Sequence, residues 1–129
     1  MTQGQAEREV ARLQKAFELC QWDIEVRCTN APAVDEEGAY GDIVWCPNAM
    51  TAGIHLATQR PDKDIRETIL HEIFHLALVD LTEAYNKLLA LVGLETAELG
   101  KATIGELNEQ AVVRLGRAFT NLCAEQKGS

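Results

Sequence analysis

Between Gln5 and Leu19 the apolar positions come round every three or four residues. Val10, Leu13 and Phe17, continued by Cys20, make one stripe, with Glu7, Arg8 and Lys15 opposite. That period predicts a first amphipathic helix packed on a core. The period then shortens to two. Trp22, Ile24, Val26 and Cys28 alternate with polar residues, the pattern of a strand with one buried face. Asn30 to Gly38, with Pro32 and the acidic run Asp35-Glu36-Glu37, reads as a solvated surface loop. Tyr40–Cys46 predicts a second strand ended by Pro47-Asn48, and Gly53–Ala57 a third closed by Gln59-Arg60-Pro61. Short connections between them predict an antiparallel meander.

From Asp64 the helical period returns and can be carried to about Val92, roughly 43 Å at 1.5 Å per residue. Asp64 with Glu67 forms a capping-box pattern behind Pro61, and Gly93 supplies a stop. So long a helix is unusual in a short chain, and a break near Asp80-Leu81-Thr82, with Thr82 capping a new helix, fits the pattern as well. Leu94 to Lys101 reads as a loop. Thr103 and Glu106 form a second capping-box pattern that opens a last helix to about Ala124. Its apolar stripe is Ile104, Leu107, Ala111, Leu115, Ala118 and Leu122. The expectation is an α+β fold in one domain, residues 1–129. It comprises an N-terminal helix, a three-stranded antiparallel sheet, a motif helix and a C-terminal helix.

Composition narrows the function classes. With 129 residues, 47% of them hydrophobic and 25% charged, the chain has the make-up of a globular protein with a single core. A net charge of −8 argues against binding nucleic acid or an anionic membrane surface, both of which call for excess Lys and Arg. The first residues are polar and lack the plan of a secretory signal, and no apolar run approaches a membrane span. Cys20, Cys28, Cys46 and Cys123 show no Cys-x-x-Cys spacing and are expected as reduced, mostly buried thiols. A cytoplasmic location follows as the expectation.

The chemistry concentrates in the predicted motif helix, which carries His71-Glu72-Ile-Phe-His75. Two of the three histidines fall here, four residues apart, so both imidazoles project from one helical face towards one metal ion. Glu72 is rotated by about 100° and can reach a water beside that ion without ligating it. Two neutral imidazoles holding Zn²⁺, with a carboxylate as general base, is the arrangement of a metal-dependent peptidase. A bland reading, helix-face histidines that merely hydrogen-bond, stands beside it.

Hydrolytic zinc normally takes three protein ligands. The extended motif that adds Gly and a third His is closed, because those positions hold Leu78 and Leu81. Asp80, five residues past His75 on a continuous helix, would point about 140° away from it. The last helix offers Glu106 and Glu109. On a helical wheel Glu109 lies about 160° from Ala111, in the company of Val113 and Gly116. His55 on the third strand reads either as a group beside the metal or as a solvent-side strand residue, and the period of two favours the latter.

The motif His71-Glu72-Ile-Phe-His75, followed by a separate helix bearing Asn108-Glu109, resembles the gluzincin metallopeptidases. Size and element order resemble the minimal members, the ImmA/IrrE-type and phage-encoded metallopeptidases. The resemblance implies a zincin-like fold with one Zn²⁺ per chain, held by His71, His75 and Glu109, and Glu72 as catalytic base. It further implies a peptide or protein substrate, with a transcriptional repressor as one such partner. Larger members carry an aspartate four residues after the ligand glutamate, where this chain has Val113. That departure leaves a second expectation open, a zinc-binding regulatory module of the same fold with little proteolysis.

Overall fold

A computed structural model of the chain describes residues 1–90 and 105–121. It divides into two compact units, Met1–Leu76 and Ala77–Ser129. The described elements are α+β, four helices with a three-stranded sheet.

In the first unit, α1 spans Gln3–Ala16. Thr2 caps it through a full capping box with Gln5: the Thr2 hydroxyl accepts from the Gln5 N–H, and the Gln5 side chain accepts from the Thr2 N–H. Ala6, Val10 and Leu13 are the buried stripe, and the helix ends sooner than the apolar period suggested. Glu18 takes a left-handed conformation (φ 57°) that turns the chain away. Gln14 then steadies the turn by donating to the carbonyls of Leu19 and Trp22. Cys20 consequently falls outside the stripe and is exposed.

The strands are β1 (Asp23–Thr29), β2 (Gly41–Cys46) and β3 (Thr51–Ala57), in the order β1-β3-β2. β2 pairs antiparallel with β3 as a hairpin around Pro47 to Met50, but β1 pairs with β3 in parallel. The sheet is therefore mixed, which corrects the expected antiparallel meander. The chain does reverse between β1 and β2. However, the connection of Asn30 to Tyr40 is long enough to carry β2 past the neighbouring position, leaving room for β3. β3 takes the centre because it is the most apolar strand, with Ala52, Ile54, Leu56 and Ala57 all buried. The outer edge of β1 is partly occupied. The Gln3 amide donates to the Val26 carbonyl and accepts from the Cys28 N–H, standing in for a neighbouring strand.

α2 spans Asp62–Ala77 and buries Ile65, Ile69, Ile73 and Leu76 along one line, with Leu70 and Phe74 beside it. Phe74 meets Phe17 at the end of α1, ring centroids 5.0 Å apart. The helix starts before Asp64, so the capping pattern with Glu67 is not its start; the Pro61 carbonyl accepts from Asp64 and Ile65 instead. At that first turn the Met1 ammonium pairs with Asp62 at 2.9 Å and holds its carboxyl below the usual range. At Gly41, β2 lies against α2 with no room for a side chain. A Cβ there would lie 2.7 Å from Thr68 Cγ2 and 3.2 Å from the His55 carbonyl. Gly41→Ala is expected to destabilise the protein by about 1–3 kcal/mol through overpacking, read by denaturant titration. Unchanged stability would show slack at that contact.

The thiols differ from expectation. Cys20 and Cys46 are exposed and Cys28 is half-buried, because Cys46 lies on the outward side of edge strand β2 and Cys20 beyond the end of α1. Burial pushes the Cys28 thiol up. Cys123 lies outside the described residues.

The second unit contains α3 (Val79–Leu89) and α4 (105–121). The long helix does break, at Leu78, before Asp80 rather than within Asp80-Leu81-Thr82. Thr82 is not its cap, since its hydroxyl bonds back to the Leu78 carbonyl at 3.2 Å. The predicted Gly93 stop, the Leu94–Lys101 loop and the Thr103 cap lie outside the described residues. The stripe expected for the last helix needs correction. Leu107 and Leu115 are 54% and 45% exposed, whereas Val112 is fully buried. The packed side passes through Asn108, Val112, Gly116 and Phe119, because the Asn108 amide donates to Thr82 Oγ1 at 2.8 Å and turns that side inward to α3. No described helix is long and apolar enough to cross a membrane.

Candidate metal centre

His71, Glu72 and His75 all lie on α2 in the first unit. The rings of His71 and His75 are half-buried, 5.0 Å apart between centroids and steeply inclined at 69°. Their Nε2 atoms approach to 3.3 Å. Two nitrogens each 2.0–2.1 Å from one tetrahedral ion would stand about 3.3–3.4 Å apart. The pair therefore has the spacing that a shared zinc ion needs, at the long end for a hydrogen bond between rings. The donor chemistry fits as well, since imidazole nitrogen suits Zn²⁺.

Glu72 is 7% exposed, the one buried charged residue among those described. A carboxylate taken out of water must find partners, and it does not stand without one. Glu72 and His71 line a groove of about 300 Å³ in the first unit. The other walls are the start of β2 at Tyr40 and Gly41, the segment before α2 at Arg60, and Asp64, Glu67 and Thr68 on α2. Asp64, Thr68 and His71 follow one another at helical spacing, so one face of α2 forms the floor. Sequence reasoning singled out none of Tyr40, Arg60 and Thr68. The only signal was Arg60-Pro61 placed directly before the motif helix.

His55 is not part of this groove. It sits in mid-β3 across from Arg27 and Asp42, on the less buried face, with its Nε2 hydrogen-bonded to Thr29 Oγ1. It borders a separate cavity of about 340 Å³ with Glu25, Arg27 and Asp42 among its walls. β3 is also flanked on both sides, so it is no rim along which a peptide could add. The free rim is β2.

The remaining ligand candidates belong to the second unit. Glu109 stands on α4, exposed and not without a partner. Glu106 and Asp80 are exposed in α4 and in the first turn of α3. Val113 and Gly116, read from the wheel as companions of Glu109, are both half-buried.

Compared with protein families, curated proteins and solved structures, the chain shows no significant match.

Proposed function

We propose that the chain is a zinc-dependent metallopeptidase of the minimal gluzincin kind, with a zincin-like fold. The observation that carries this reading is the convergence of His71 and His75 Nε2 to 3.3 Å beside a buried Glu72. The ligand set of this reading is the imidazole pair of His71 and His75 with Glu109 as the third ligand, ahead of Glu106 and Asp80. Zn²⁺ bound there would acidify a water and polarise a substrate carbonyl. Glu72 would accept the proton of that water and return it to the leaving amine. Its burial shields the carboxylate from bulk water.

An extended peptide would add along the outer edge of β2, whose Gly41 end borders His71 and Glu72 in the groove. The three unpaired described cysteines suit a cytoplasmic setting, where a protein such as a transcriptional repressor is a fitting substrate. A regulatory zinc module is the second reading. It is favoured by Val113, which cannot orient an imidazole by hydrogen bonding as a carboxylate would.

The test is metal analysis followed by cleavage of a broad peptide library, with and without chelator. Close to one zinc per chain and chelator-sensitive cleavage are expected. Zinc without cleavage would select the regulatory reading, and a metal-free protein would sink both.

A further inference from the structure

Arg60 is one of the residues that line the groove. Its guanidinium lies 3.5 Å from the centre of the Tyr40 ring and donates through Nη1 to Thr68 Oγ1 at 2.9 Å. Thr68 in turn donates to the Asp64 carbonyl at 3.0 Å, which leaves its oxygen lone pairs for Arg60. Stacking and hydrogen bonding thus hold the group in one plane. Among the described residues no carboxylate forms an ion pair with it. A guanidinium has five N–H donors, and Thr68 uses one of them. A fixed, half-buried guanidinium with unused donors facing a groove is built to take a planar anion in bidentate fashion.

We propose that Arg60 recognises a carboxylate of the substrate, one or two residues from the bond cut at His71 and Glu72; this rests on the metallopeptidase reading. Thr68 precedes His71 by three residues, about 4.5 Å of helix, and an extended peptide advances about 3.3–3.6 Å per residue. The carboxylate comes either from an Asp or Glu side chain or from the peptide's own C-terminus. Asp64 and Glu67 border the same groove, but Glu67 is exposed to screening water and Asp64 sits in the first turn of α2, whose dipole offsets its charge. A contacting bidentate pair outweighs both.

Matched peptides decide it: free against amidated C-terminus, and Glu against Gln at each position near the cut. The zinc-loaded wild type should favour a carboxylate by roughly tenfold or more in kcat/KM. Arg60→Ala should erase that preference, lowering kcat/KM for the carboxylate-bearing peptides roughly tenfold more than for the amidated, Gln-containing peptide, and Arg60→Lys should restore part of it. The arm that responds names the source of the carboxylate. An equal loss for all peptides would reduce Arg60 to a tie between Tyr40 and Thr68, and a preference for basic peptides would overturn the assignment. Calorimetric binding of the same peptides to zinc-loaded Glu72→Gln protein, with and without Arg60→Ala, needs no turnover. Should the wild type cut nothing, the peptidase reading fails, and the absence of a carboxylate preference in binding would separately overturn the role of Arg60.

Discussion

Glu72→Gln is expected to keep close to one zinc per chain and to lose peptide hydrolysis by about 10²- to 10⁴-fold, the usual contribution of a general base. Gln has nearly the volume of Glu, so a side chain only 7% exposed can be replaced without opening a cavity. The amide still hydrogen-bonds but cannot take a proton at neutral pH. The measurement is kcat/KM on a peptide cut by the wild type, with metal content and thermal midpoint on the same preparations. Full hydrolytic activity in that variant would remove the proposed base. Loss of zinc along with activity would show instead that Glu72 helps to hold the metal.

Metal retention separates the acids of the last helix. Glu109→Gln is expected to weaken zinc binding by more than about 100-fold, since changes merely outside the ligand set cost 10- to 100-fold. Glu106→Gln should leave it unaltered. His75→Ala serves as the positive control, removing one of the two converging nitrogens. Glu109 is exposed, so its substitution, including the loss of its partner, should change the stability of the metal-free chain by no more than about 1 kcal/mol. Competition against a chromophoric chelator reads the affinities. Wild-type affinity in Glu109→Gln, beside a clear loss in His75→Ala, would remove the acid from the ligand set and leave two imidazoles.

The helix ends show what local information holds and where it stops. Thr2 and Gln5 cap α1 through neighbouring atoms, yet Asp64 and Glu67, with the same spacing, cap nothing, because Pro61 starts α2 earlier. A capping pattern states which donors could be satisfied; the preceding turn decides which donors exist. The apolar stripe of the last helix failed for a related reason. Hydrophobicity pointed to Leu107 and Leu115, but the Asn108 hydrogen bond to Thr82 turns a different side inward.

The residues alone determined the type and approximate place of the described elements, and the four-residue step that brings two imidazoles to one helical face. Each depends on periods of 2 and 3.6 that act within a few neighbours. The tertiary structure decided the pairing of β1 with β3, the central place of β3, the separation of His55 from the groove, and the stacking of Arg60 on Tyr40. Those depend on loop length and on which apolar strand gains most from being covered on both sides. Such terms couple residues far apart in the chain, and no local period encodes them.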